Sequence, residues 1–274
     1  MKFLYRFAPR RLKDAVKVLL GMVAVTDLPT EREARLFDCP VCGARRVHFR
    51  PPPLYAINRL NQHQHVYSIF QYETANIEHY FCTRCSASDR DRLYALYARQ
   101  MLARNTGNLS LLEIAPVPAL TQFLRTFPRV RVRTADLYSK GVDDKIDITN
   151  MRLYPNGHFD AFICSHVLEH VADDIAAMKE LHRVLKEGGW GIAMVPIHLG
   201  LTEILEDPSV TDEAGRWKHF GQGDHVRIYT KRGFVERLAS AGFHVQQLDR
   251  AFFGSEVLSA HGICPRSVLY VVTK

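Results

Sequence analysis

The sequence predicts an α/β protein: a mostly parallel, doubly wound sheet of seven strands, preceded by a small module built on four cysteines. Three observations carry this expectation. Residues 159–191, FDAFICSHVLEHVADDIAAMKELHRVLKEGGWG, read as strand, helix and strand in succession. Two CxxC pairs, Cys39/Cys42 and Cys82/Cys85, stand well upstream. Short stretches with strand character recur on both sides of the central unit, at 109–115, 131–137, 191–195 and 268–273. With 47% hydrophobic residues the chain can bury a full core, and no run of eighteen apolar residues is present to cross a membrane.

Taken in order, residues 1–26 predict a basic amphipathic helix. From Pro9, Arg10, Lys13 and Lys17 line one face, while Leu12, Val16, Leu19, Leu20 and Val23 line another. Such a helix suits docking on the domain behind it or lying on an anionic membrane surface. Lys17 interrupts the apolar segment, and no small-residue cleavage pattern follows, which disfavours a signal peptide. The expectation is a cytoplasmic protein, with docking or a plain solvated helix first and peripheral contact at the inner membrane face through residues 1–26 as the open alternative. Residues 1–20 hold six basic side chains against Asp14 alone, so most of the net charge of +7 is concentrated there. The near-neutral remainder argues against a broad nucleic-acid-binding face. Residues 1–37 are read as helix and linker, 38–107 as the cysteine module with a bridging helix, and 108–274 as the main domain.

Cys39, Cys42, Cys82 and Cys85 can surround one Zn²⁺ tetrahedrally, because a two-residue spacer lets both sulfurs of a pair reach the same ion. Four thiolates close the shell, so the ion is expected to be structural. A redox pair or four free thiols are the other readings. The intervening residues suggest a small β-ribbon, and His63, His65 and His79 within them are substitute ligands. Ser86–Leu102 reads as a helix with Leu93, Leu96, Tyr97 and Met101 on one face. Its Arg90 and Arg92 are expected on a solvated face, free to meet a phosphate or carboxylate.

The main domain opens with a strand at 109–115 and a helix at 119–126. The turn between them, Glu113-Ile-Ala-Pro-Val-Pro118, lacks glycine, and its two prolines remove two backbone donors. A second strand ends at Asp136, placed to accept from ribose hydroxyls. After the strand at 161–164 come Ser165, His166, Glu169 and His170. The last three stand at i, i+3 and i+4, so one helical turn would project them together for metal or acid–base work; ordering of the loop is the plainer reading. Asp173 and Asp174 start the next helix, which Gly188-Gly189 is expected to stop. Residues 199–224 suggest a substrate lid. A helix at 230–241 and strands around 242–245 and 268–273 complete the sheet.

The wording HVLEHV, RVLKEGG and GDHVRIYTKRGFVERLASAGF resembles class I S-adenosylmethionine (SAM) methyltransferases over roughly residues 108–274. The resemblance implies a Rossmann-like sheet and SAM as cofactor. It places Glu113, Ala115, Ser165 and His166 at the amino-acid end, Asp136 and Leu137 at the ribose, and Asp147 and Ile148 at the adenine. His166, Glu169 and His170 are then the candidate catalytic residues. The implied function is methyl transfer to an unidentified acceptor, with a sugar or lipid-linked glycan as first guess. An RNA methyltransferase using the zinc module for contact, and a non-catalytic binding module, remain the alternatives.

Overall fold

The computed structural model describes residues 35–104 and 106–274; the expected basic helix over residues 1–26 lies outside them. Each cysteine pair forms a tight turn. The Cys39 carbonyl accepts from Gly43 N, and the Cys82 carbonyl accepts from Ser86 N, both at 2.9 Å. The residue after each pair is left-handed, Gly43 at φ 71° and Ser86 at φ 62°, which turns the chain back on itself. Strands β1 (Phe49–Arg50) and β2 (Phe81–Cys82) pair antiparallel beside them. The rest of the expected β-ribbon is absent. After Pro51-Pro52-Pro53 the chain forms helix α1 (Leu54–Gln62), then one 3₁₀ turn at Ile69–Gln71. Three successive prolines have no N–H to extend a ladder from β1, whereas proline is tolerated where a helix begins.

Helix α2 (Asp89–Arg104) starts from a reciprocal cap. Ser88 Oγ accepts from Asp91 N at 3.3 Å, and Asp91 Oδ2 accepts from Ser88 N at 2.8 Å. Arg92, expected in solvent, is 0% exposed. Its guanidinium lies 3.9 Å from the Phe49 ring centroid. It donates to five carbonyls: His79 at 2.6 Å, His261 at 2.8 Å, Tyr80 at 3.0 Å, and Ala87 and Gly262 at 3.1 Å. A buried guanidinium is tolerable because its donors are met and the carboxylate of Asp89 is buried close by. One side chain thus ties the cysteine module, the start of α2 and the carboxyl-terminal region together.

The central sheet is built from β3 (Leu109–Ile114), α3 (Pro118–Arg125), β4 (Val130–Asp136), β5 (Asp144–Lys145), β6 (Phe159–Ser165), α4 (Asp174–Val184) and β7 (Leu185–Met194). The 199–224 excursion follows, with β8 (Leu205–Glu206) and α5 (Glu213–Phe220), and β9 (Arg227–Ile228) pairs back on β8. Helix α6 (Lys231–Ser240), β10 (His244–Leu248), two short helices α7 (Arg250–Phe253) and α8 (Ser255–Ala260), and β11 (Leu269–Thr273) complete the chain. The seven strands run in the order β10-β11-β7-β6-β3-β4-β5, with β11 alone antiparallel to its neighbours. The expected mostly parallel, seven-stranded sheet is therefore present. The chain leaves β3 toward β4 on one side and later returns to β6 on the other. This places a topological switch point between β3 and β6.

Asp173 caps α4 as the sequence suggests, its Oδ1 accepting from Ala176 N at 2.9 Å. The helix nevertheless stops at Val184, ahead of Gly188-Gly189. Leu185 already pairs with Phe159, and Trp190 pairs with Ala161, so residues 186–189 bulge opposite Asp160. A Cβ on Gly189 would lie 2.8 Å from the Asp160 carbonyl, so glycine serves the bulge rather than the helix stop. Residues Phe37–Lys274 pack as one compact unit around a core that runs from Phe37 and Phe49 to Tyr270 and Val272. Among the described residues no helix is long and apolar enough to cross a membrane.

Candidate active site

At the switch point β3 and β6 each end in a left-handed residue, Ala115 at φ 50° and His166 at φ 55°. That conformation costs a residue bearing a Cβ roughly 1–2 kcal/mol. The sheet holds both in place. Ala115 N donates to the Ala135 carbonyl at 2.9 Å, and His166 N donates to the Met194 carbonyl at 2.8 Å. The turn after β3 therefore makes a left-handed step without glycine, on the smallest side chain that carries a Cβ. Pro118 is the first residue of α3, where a missing N–H is not needed.

Glu113 sits beneath this turn, 1% exposed. Its Oε2 accepts from Thr121 Oγ1 at 2.8 Å, and its Oε1 faces Val117 N at 3.4 Å. Burial pushes its carboxyl up to about 7, against the lowering effect of those hydrogen bonds. Asp136 closes β4, and its Oδ1 accepts from Tyr138 N and Ser139 N, both at 2.7 Å. The carboxylate is thus fixed at the sheet edge, beside the exposed side chains of Leu137 and Tyr138. Asp147 Oδ1 accepts from Thr149 N at 2.8 Å and Thr149 Oγ1 at 2.7 Å, a turn-forming role, while Ile148 beside it is buried.

His166, Glu169 and His170 do come together, though not on one regular helical turn. His166 precedes the short 3₁₀ segment Leu168–His170. Glu169 is 1% exposed, and its Oε1 lies 3.1 Å from His166 Nδ1. That approach lacks hydrogen-bond alignment, and neither carboxylate oxygen has a hydrogen-bond partner. Burial alone would raise the Glu169 pKa, but His166, with His225 and His170, holds it below the usual carboxylate value. Burial, reinforced by the Arg90 charge, lowers the pKa of His166 despite the pull of Glu169. His170 Nδ1 lies 3.3 Å from Asp224 Oδ2, and its ring packs edge-on against His225 with centroids 4.7 Å apart.

Two residues of α2 complete the edge, and the sequence reading missed both roles. Arg90 Nη1 lies 3.0 Å from His166 Nε2, and Tyr94 OH lies 2.8 Å from Ser165 Oγ. Their i, i+4 spacing shows that they share a helix face, but nothing local links that face to residues 165–166. A cavity of about 200 Å³ opens here. Tyr72, Tyr80 and Phe220 line it, with Arg90, His166 and His225 as polar groups. The segment between the two cysteine pairs thus forms one wall of it. The four cysteine sulfurs themselves lie within 4.8 Å of one another, as a shared metal ion requires.

A seven-stranded sheet in this order, with one antiparallel strand, is the fold of class I methyltransferases. Residues 87–248 match the family described as a methyltransferase domain, and the chain belongs to that family, the SAM-dependent methyltransferases. Among solved structures, a SAM-dependent methyltransferase from Mesorhizobium loti is 16% identical, with a TM-score of 0.44 over 65% of this chain and 96% of its own. One from Archaeoglobus fulgidus is 13% identical, with a TM-score of 0.42 over 68% of this chain and 93% of its own. The [4+2]-cyclase SpnF is 17% identical, with a TM-score of 0.43 over 82% of this chain and 96% of its own. No curated protein matches the chain.

The buried carboxyl of Glu113 makes stability pH-dependent. It ionises near 4.5 when unperturbed and at about 7 in the fold, so the native state binds this proton more tightly than the unfolded chain. The resulting stabilisation is complete below the unfolded value and is lost as pH rises through 7. Glu113→Gln, which keeps the shape, is expected to exceed the native protein in stability by up to about 3 kcal/mol at about pH 8. The gap should close below about pH 4.5. Urea unfolding at several pH values reads this, and a gap that does not change with pH would show the carboxyl to be solvated.

Proposed function

We propose that this methyltransferase seats SAM across the carboxyl ends of β3, β4 and β6 and methylates a ring-sized acceptor in the adjoining cavity. The observation that carries the proposal is the pair of left-handed strand ends, Ala115 and His166, beside a fixed strand-end acid, Asp136. An adenosyl cofactor needs an acceptor for its ribose hydroxyls and an apolar surface for its base. Asp136 keeps Oδ2 outside its own turn, and Leu137 and Tyr138 expose apolar surface next to it. In this reading Asp136 holds the ribose and Asp147-Ile148 border the adenine. Ala115, Ser165 and His166 meet the amino-acid end, and Glu113 braces the turn from below. The residues fit the cofactor.

When bound, SAM supplies a methyl group already activated by its sulfonium, so the protein's main task is alignment. Arg90, His166 and His225 would orient an oxygen-bearing acceptor between Tyr72 and Phe220. If that oxygen is a hydroxyl, His166 is the cavity base placed to take its proton, with Glu169 beside it and His170 ordering the loop. Aromatic walls with a few polar groups suit a single sugar ring, and this supports a sugar or glycan acceptor. A lipid-linked acceptor would match the basic segment 1–26 if that segment contacts an anionic membrane face. The four cysteines are assigned a structural Zn²⁺, since all four positions of the shell are filled by protein.

Calorimetry with S-adenosylhomocysteine tests the donor site. The native protein is expected to bind at micromolar concentrations. Asp136→Ala should lose on the order of a hundredfold in affinity, with its melting temperature nearly unchanged. Equal binding by both proteins would place the donor elsewhere, and no binding by either would remove the enzyme reading. For the cysteine set, replacement of the resident metal by Co²⁺ should produce a thiolate-to-metal charge-transfer band, lost in Cys82→Ser. Folded, reduced protein without metal at these cysteines would contradict the assignment.

A further inference from the structure

We infer that Glu169, His170 and His225 form a second cation site, separate from the four cysteines, which takes a divalent transition-metal ion at the rim of the acceptor cavity. One potential ligand atom from each of the three residues lies within 4.8 Å of the other two. The anchor is the Glu169 carboxylate. It is 1% exposed and neither oxygen has an aligned hydrogen bond, so a buried carboxylate here calls for a cation beside it. His166 meets that need only in part. Its Nε2 faces the Arg90 guanidinium at 3.0 Å, so Nδ1 carries the proton and faces Oε1 at 3.1 Å off the hydrogen-bond axis, and Oε2 has no partner.

The two imidazoles are arranged as metal ligands usually are. His170 Nδ1 faces Asp224 Oδ2 at 3.3 Å, and His225 Nδ1 faces the Phe220 carbonyl at 3.3 Å. An acceptor at Nδ1 selects the tautomer whose Nε2 carries the free lone pair, which is how ligating histidines are oriented. The two ligand-bearing segments are also locked to each other. Val226 N donates to the Glu169 carbonyl at 2.9 Å, and the buried Arg227 guanidinium donates to the carbonyls of Leu168, Val171 and Ala172. That rigidity is what a preorganised site needs.

Two nitrogens and one carboxylate suit Zn²⁺, Co²⁺ or Ni²⁺ better than Mg²⁺ or Ca²⁺, which prefer oxygen shells. Three protein ligands leave a coordination position open. His225 also lines the cavity, so that position is available to an acceptor oxygen. The site differs in kind from the closed cysteine set.

The test adds Co²⁺ to protein whose cysteines are already zinc-loaded, without SAM, so its outcome is independent of donor binding. One further equivalent is expected to bind, with visible d–d absorption and no new thiolate band. Glu169→Gln and His170→Ala should each weaken that binding at least tenfold, while the thiolate-bound metal stays in place. The native titration needs no variant to fail, and the two substitutions, read in folded protein, place the bound ion. No uptake beyond the cysteine set by the native protein, or unchanged affinity in folded variants, would overturn the assignment.

Discussion

The structure depends on the buried guanidinium of Arg92. Its five donated hydrogen bonds reach residues 79 and 80 at the end of the inter-cysteine segment, residue 87 before α2, and residues 261 and 262 after α8. These segments are far apart in sequence and share no regular element. Loss of one partner from a buried charged network generally costs about 3–5 kcal/mol, because the remaining groups are left without water or partners. Lysine could not replace it, having three donors in place of five and no planar fork. With Arg92 in place the cysteine module is part of the same compact unit as the sheet, and its inter-cysteine segment walls the cavity beside His166.

The same economy marks the edge where β3 and β6 end. The left-handed conformation favours glycine, and here Ala115 takes that step. Hydrogen bonds to the neighbouring strand hold it there, as they hold His166 at the next strand end. Strained residues at adjacent strand ends signal a site whose shape is maintained by the surrounding sheet. Glu113 contributes from beneath, its buried carboxyl engaged by Thr121. The resulting edge is formed chiefly by backbone, with Asp136 as its fixed charged group.

Much of this was legible in the sequence, for local reasons. An unbroken apolar run ending in polar residues gave β6, the stretches ending at Glu113 to Ala115 and at Asp136 gave β3 and β4, and Asp173 marked the start of α4. The cysteine spacing gave a four-sulfur cluster. Other features are tertiary and escaped. The helix α1 was hidden in a segment whose aromatic residues suggested strands. Gly188-Gly189 could be read as a helix stop because the bulge against Asp160 exists only once β6 and β7 pair. Arg90 and Arg92 stand two positions apart on α2, about 200° around the helix, so one faces His166 and the other the module core. Short-range pattern cannot separate such residues from a solvated face.

Hydrogen exchange with and without S-adenosylhomocysteine tests most directly whether the donor sits at this edge. The account predicts new protection at residues 115–121, 137–139, 147–149 and 166–170, with amides around the two cysteine pairs unchanged. Protection confined to other segments, or absent at both 115–121 and 166–170 when ligand is demonstrably bound, would contradict it.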